Sequence, residues 1–224
     1  VEAKIEPDLV YPLIRGRDVK KWRVEFNDRY VVVPHNPKTG GPISDIEIKT
    51  KQPLSYTYLR NYQKELENRS IHRLWGRNKP FYSLYDIGSY TFSPYKVVWK
   101  NIAGAITGKA AEFTCAVVSQ VDDKCLGTKI VIPNVKLMMV PLENLKEAHY
   151  LCGVLNSIIM RTIAASYMVE VEIGTHILQH IQIPNYNSND SLHIKISELS
   201  EKVHQLSKII HRENKSHELR SIED

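Results

Sequence analysis

The sequence predicts an α+β fold, a mainly antiparallel β-sheet with packed helices and a C-terminal amphipathic helix. Three observations carry this. Between Phe81 and Val140, short β-branched and aromatic runs alternate with turn residues at the spacing of an antiparallel sheet. Helix start signals and apolar periodicity follow Pro141. Finally, Ile196, Leu199, Val203, Leu206 and Ile210 are spaced 3, 4, 3 and 4 residues apart, one face of a helix that packs on another. With 42% hydrophobic and 25% charged residues over 224 positions, the chain has the composition of a globular protein and not of a disordered one.

In chain order, Trp22–Phe26 and Tyr30–Pro34 are β-rich runs separated by Asn27, Asp28 and Arg29, which predicts a hairpin. His35–Gly41 contains Pro37, Gly40 and Gly41 and reads as a loop. Pro53–Asn68 reads as a helix, with Pro53 in its first turn and Leu59, Tyr62 and Leu66 on one face. Strands are expected at Tyr82–Tyr85, Tyr90–Phe92, Lys96–Lys100, Ala116–Val121, Lys129–Ile132 and Lys136–Val140, with Pro141 ending the sheet. Asn144 with Glu147 three residues on predicts a capping box for a helix through Leu151 and Leu155. Ser157–Ser166 is apolar enough to be a helix buried on most sides. After the polar segment Asn185–Ser191 comes the last helix. This divides the chain into a body over 1–190 and a C-terminal amphipathic helix over 191–224 packed on it.

Three cysteines without a C-x-x-C pair fit neither a disulfide framework nor a cysteine zinc site, and point to a reducing compartment. No apolar run approaches the ~18 residues that span a bilayer, so a cytoplasmic protein with no membrane partner is expected. The first residue is not Met, which fits a fragment or a processed piece of a longer polypeptide.

The charge is unevenly placed. The total of +5 divides into +8 over residues 1–110 (19 cations, 11 anions) and −3 over 111–224 (11 cations, 14 anions). Arg69, Arg73, Arg77, Lys79, Lys96, Lys100 and Lys109 face one anion, Asp86, and a second group comprises Arg15, Arg17, Lys20, Lys21 and Arg23 around Asp18. Eight aromatics lie between Trp75 and Trp99. Cations interleaved with aromatics suit nucleic acid, because Lys and Arg neutralise phosphates and Arg also pairs with guanine edges. Most of these rings, roughly three-quarters, belong in a core on β propensity alone.

No catalytic constellation survives inspection. His176 and His180 are four apart but have no Glu between them, and His35, His72 and His149 have no nearby Cys or paired carboxylate. Pro7-Asp8 with Glu47 and Lys49 echoes a metal-dependent nuclease pattern only in fragments that arise by chance. Phosphate-binding glycine loops and a nucleophile elbow are both missing, so no catalytic, cofactor or metal residues are assigned.

Five segments in order nevertheless form a recognisable series: Tyr11–Trp22 (YPLIRGRDVKKW), Lys79–Lys100 (KPFYSLYDIGSYTFSPYKVVWK), Glu147–Ser157 (EAHYLCGVLNS), Thr175–Pro184 (THILQHIQIP) and Leu192–His204 (LHIKISELSEKVH). Together they resemble the C-terminal target-recognition domain of Taq-type N6-adenine DNA methyltransferases and of related type II restriction-modification enzymes. The resemblance implies a domain that binds double-stranded DNA and selects the sequence, while an N-terminal domain of the same parent polypeptide binds S-adenosylmethionine and transfers the methyl group, in some enzymes with a fused endonuclease. The Asn-Pro-Pro-aromatic motif of that catalytic domain is missing here, since Asn36 and Pro37 are followed by Lys38 and Thr39. The expected DNA contacts are Arg15, Arg17, Lys20, Arg73, Arg77, Lys100 and Lys109, with Arg73 and Arg77 placed at base edges. Arg15, Arg17 and Asp18 can equally form an internal turn that orients the hairpin. A module like the type I restriction specificity subunits, and a protein-interaction domain with an incidental basic face, are the alternatives.

Overall fold

In a computed structural model, residues 3–101, 113–167, 178 and 181–223 are described. The elements in chain order are strands β1 (Val10–Ile14), β2 (Val19–Lys20), β3 (Arg23–Val24) and β4 (Tyr30–Val32), then helices α1 (Asp45–Lys51), α2 (Pro53–Arg60), α3 (Gln63–Glu67) and α4 (Ser70–Trp75). Strands β5 (Tyr95–Lys100), β6 (Cys115–Val118), β7 (Val121–Asp123), β8 (Gly127–Lys129), β9 (Ile132–Pro133) and β10 (Leu137–Leu142) follow, and helices α5 (Leu145–Leu155), α6 (Ile158–Tyr167) and α7 (Ser191–Glu223) close the chain. The fold is the α+β class expected, with antiparallel pairings and a long C-terminal helix. None of the described helices is long and apolar enough to cross a membrane.

Two compact units are present. The first takes the described residues up to Leu13, Asp28–Ser93 and Gln120–Ile132. Its sheet has the order β4-β1-β9, with Val10 opposite Val32 and Pro12 opposite Tyr30. The expected hairpin therefore does not join the two N-terminal runs: Tyr30–Val32 pairs back to β1 instead. Tyr11, Val33, Phe92 and Ile132 form one core cluster of this unit, and Leu9, Ile48, Leu59, Phe81 and Tyr82 another.

The predicted Pro53–Asn68 helix is broken at Asn61 and Tyr62, where Tyr62 leaves helical geometry at φ −112° and ψ 19°. Start of α2 is held by Glu6, whose carboxylate accepts from the backbone of Leu54 and Ser55 (2.8 and 2.7 Å) and from the Ser55 hydroxyl. An anion at a helix N-terminus satisfies free N–H groups there.

Tyr82–Tyr85 and Tyr90–Phe92 form no strands, and the latter lies in a 3-10 turn. The reason is that side chains satisfy this backbone. The Arg69 guanidinium donates to the carbonyls of Phe81 and Ser83, and Leu84 N–H donates to His35 Nε2 at 2.9 Å. Buried backbone groups need partners, but a neighbouring strand is not the required source.

The second unit takes the described residues of Ile14–Asn27, of Pro94–Ser119, and from Pro133 on. Its sheet has the order β10-β5-β6. Pro141 does not end the sheet but sits within β10 opposite Lys96, tolerated because β10 is an edge strand. The hairpin of this unit is β2–β3, turning at Lys21 and Trp22, with Trp22 in the left-handed region at φ 65°. Trp22 is worth this conformation because its N–H donates to Cys115 O and its ring packs on the core of Val97, Trp99, Cys115, Ala148 and Cys152.

Asn144 caps α5 as expected, its Oδ1 accepting from Lys146 and Glu147 N–H. Helix α7 docks on α5, but through a face rotated from the one its apolar spacing predicts, with Ile196 and Val203 half-buried at its edge. Ser197, Ser200 and His204 are buried, whereas Leu199, Leu206 and Ile210 are exposed. Close approach selects the small residues: a Cβ on Gly153 of α5 would lie 2.7 Å from the Ile196 side chain. His204 then ties α7 to the sheet, with Nε2 accepting from Val117 N–H (3.0 Å) and Nδ1 donating to Ser200 O (2.7 Å). Helix α6 is less buried than expected, with Met160 inside but Ile158 and Ile159 exposed.

Candidate nucleic-acid interface

The two cation groups fall in different units. In the first unit, Arg73 lies on α4 and Arg77 in the turn after it, and both are exposed. Neither guanidinium makes a hydrogen bond or ion pair among the described residues. Lys79 is exposed nearby, its ammonium 5.3 Å from the centre of the Tyr85 ring. Arg69, by contrast, is spent internally on the carbonyls of Leu66, Phe81 and Ser83, and burial lowers its pKa.

In the second unit, Arg15 and Arg17 are exposed on the 3-10 turn Gly16–Asp18. Asp18 is buried beneath them and accepts from Arg15 N–H and from Asn27 Nδ2, each at 2.8 Å. The R-G-R-D turn is therefore braced by its carboxylate bonding to backbone and to Asn27, which leaves the two guanidinium groups on the outside. Lys20 and Lys100 are both half-buried, and Gly16 approaches the Lys100 stem, since a Cβ there would be 3.7 Å from Lys100 Cγ. Burial lowers the Lys100 pKa, and the like charge of Lys20 lowers it further. Two cations held close favour an anion between or beside them. Lys109 lies outside the described residues, as do His176 and His180.

Two other cations of the sequence clusters are withdrawn. Lys96 is 1% exposed in the centre of β5, and Arg23 is paired with Glu25 through two hydrogen bonds of 3.0 and 2.7 Å. The aromatic run divides as its β propensity implies only in part: Phe81, Tyr82, Phe92 and Trp99 are buried, while Tyr90 and Trp75 are exposed. Trp75 is the residue that sequence reasoning missed. The spacing of Ile71, Leu74 and Trp75 marks one helix face but does not say that it faces outward.

The described histidines have structural occupations. His35 is buried, its Nδ1 donating to Gly40 O, and burial lowers its pKa. His72 is hydrogen-bonded to the Tyr85 hydroxyl. His149 lies against the His204 ring, and burial, then the charges of His204 and Lys208, push it down to about 4. Glu47 and Lys49, half of the nuclease-like pattern, pair with Lys51 and Asp45 within α1. Among the described residues no group of three or more His, Cys, Asp or Glu can hold a metal ion.

With that geometry in view, one curated protein bears on the chain. A type II methyltransferase, M.NspV of Nostoc sp., is 32% identical over 112 residues. The match covers 48% of the chain and 22% of that relative's length. No family model matches. Asn36 Oδ1 accepts from Lys38 N–H within its own turn, and Pro37 is followed by Lys38 and Thr39.

Proposed function

We propose that this chain binds double-stranded DNA sequence-specifically, as the target-recognition part of an adenine-specific methyltransferase or restriction-modification enzyme whose S-adenosylmethionine-binding, methyl-transferring domain lies in the parent polypeptide. The observation that carries the reading is the segment from α4 to Lys79, where Arg73, Arg77 and Lys79 stand exposed and the two arginines have no carboxylate partner among the described residues. The partial similarity to M.NspV supports the enzyme class. Arg15, Arg17, Lys20, Lys100 and Lys109 contact phosphate, and Arg73 and Arg77 read base edges, where a bidentate pair with guanine gives about 1–3 kcal/mol of discrimination. A domain that holds the duplex in register lets the catalytic domain draw the target base out of the stack.

Binding of the full chain to mixed-sequence duplex DNA over a salt series tests this. Five phosphate contacts give a slope of about −4.5 for log affinity against log salt. No measurable DNA affinity even at low salt would sink the reading.

A second reading, a helix-pairing role for α7, is favoured by one feature, the exposed Leu192, Leu199 and Leu206 at seven-residue spacing. Sedimentation of the full chain over a concentration range discriminates it, because helix pairing gives a concentration-dependent dimer and DNA binding alone does not.

A further inference from the structure

Helix α4 presents an apolar edge to solvent. Ile71, Leu74 and Trp75 are 43%, 75% and 66% exposed, and their spacing puts them on one face. Large side chains left this open in a chain able to bury Phe81, Tyr82 and Trp99 mark a contact surface.

The edge is held firmly from beneath. His72, next to Ile71 on the helix, is hydrogen-bonded to Tyr85 at 2.8 Å, and Arg69, just before the helix, is locked onto three carbonyls. Gly76 ends the helix where nothing larger fits, since a Cβ there would lie 2.3 Å from His72 O. The chain then turns through Asn78 at φ 69°, closed by Lys79 N–H donating to Gly76 O. A braced, short element with an outward indole loses little conformational freedom when it meets a ligand.

Charge selects the partner. From Arg69 to Pro80 there are four cations and no carboxylate, and three of the cations, Arg73, Arg77 and Lys79, are exposed in the same short segment as the apolar edge. A protein partner would have to be acidic and apolar at once, whereas nucleic acid offers anionic phosphates and apolar base faces a few ångströms apart. Apolar side chains that meet DNA in this way insert at kinked or unstacked steps, and aromatic rings stack on bases.

We infer that Trp75, with Leu74 beside it, packs against base faces at an opened step of the DNA while Arg73, Arg77 and Lys79 hold the flanking strand. The inference rests on the proposed DNA-binding reading and adds to it a base contact that is not a hydrogen bond. Stacking has no sequence code, so Trp75 contributes affinity and duplex opening, and the neighbouring arginines contribute choice of site.

The test uses the full chain, a mixed-sequence duplex, and the same duplex carrying a two-base mismatch bubble. Loss of the ring in Trp75→Ala is expected to weaken binding to the bubble about 5- to 100-fold. The slope against salt should stay unchanged, because no phosphate contact is removed. Long-wavelength tryptophan emission should be quenched by the bubble DNA in the native chain and not in Trp75→Phe, which keeps a ring and most of the affinity. Equal affinity of Trp75→Ala and the native chain for the bubble, with Arg73→Ala/Arg77→Ala still weakened, overturns the Trp75 contact and leaves the DNA-binding reading standing. Undiminished binding by both variants removes the contacts assigned to α4, and no measurable affinity of the native chain for either DNA removes the DNA-binding reading as well. If Trp75→Ala instead abolishes self-association while DNA affinity is untouched, the edge is a protein contact and the inference is wrong. Circular dichroism checks that the variants fold, which the exposure of Trp75 favours.

Discussion

Lys96 offers a sharp test because it is a cation the sequence groups with DNA-facing ones and the fold buries. It sits on the central strand β5 between Val118 and Pro141, 1% exposed. Burial lowers its ammonium from 10.5 to about 8, against an opposing pull from Glu143. At about 1.4 kcal/mol per pH unit, that drop makes the buried charge cost roughly 3 kcal/mol at neutral pH. The sign follows from proton counts. Between about 8 and 10.5 the unfolded chain holds a proton that the folded chain has released, so stability rises with pH across that window. Lys96→Met keeps the length of the stem, removes the charge and leaves Glu143 on the surface. Urea denaturation at pH 7 should show the variant more stable by about 2–3 kcal/mol, with the gap narrowing by pH 9.5. The DNA salt slope should not change, in contrast to Lys100→Ala. A variant less stable than the native chain at pH 7, or a gap independent of pH, would refute the reasoning.

Other outcomes follow from the same structure. His204→Ala leaves Val117 N–H without its buried acceptor and should cost about 1–3 kcal/mol in urea denaturation. Gly153→Val drives a side chain into Ile196 and should loosen α7 from α5, read as faster amide exchange at Ser197–His204. His149 is held below its ordinary value, so the folded chain binds fewer protons than the unfolded one between about 4 and 6.5, and stability falls as pH drops through that range. His149→Gln should flatten that dependence, and an undiminished slope would exclude His149 as its source. Glu6→Ala removes the anchor at the start of α2 and should cost about 1 kcal/mol, an effect that fades below the ordinary carboxylate range because the native carboxylate is protonated there.

The legible parts of the fold were those with local causes. The runs at Lys96–Lys100 and Lys136–Val140 pair as strands with apolar residues on both faces, and Asn144 starts α5 through bonds to N–H groups two and three residues away. Illegible parts depend on partners distant in sequence. Tyr82–Tyr85 looks like a strand, but Arg69 and His35 take the backbone bonds of Phe81, Ser83 and Leu84. On α7 the strongest apolar spacing misleads, because Gly153 brings α5 close enough that serines and His204 fit and leucines do not. The cations show the same limit. Composition counts Lys96, Arg69 and Arg73 alike, yet one is buried, one caps carbonyls and one is exposed, and only the fold distinguishes them.

Selection of bound fragments from a random duplex library by the full chain tests target recognition most directly. A single short consensus is expected to enrich over successive rounds, and Arg73→Ala/Arg77→Ala should blur it at one or two positions while Lys100→Ala only lowers the yield. Recovery of no consensus, at a salt concentration where the chain does bind duplex DNA, would contradict sequence recognition by this chain.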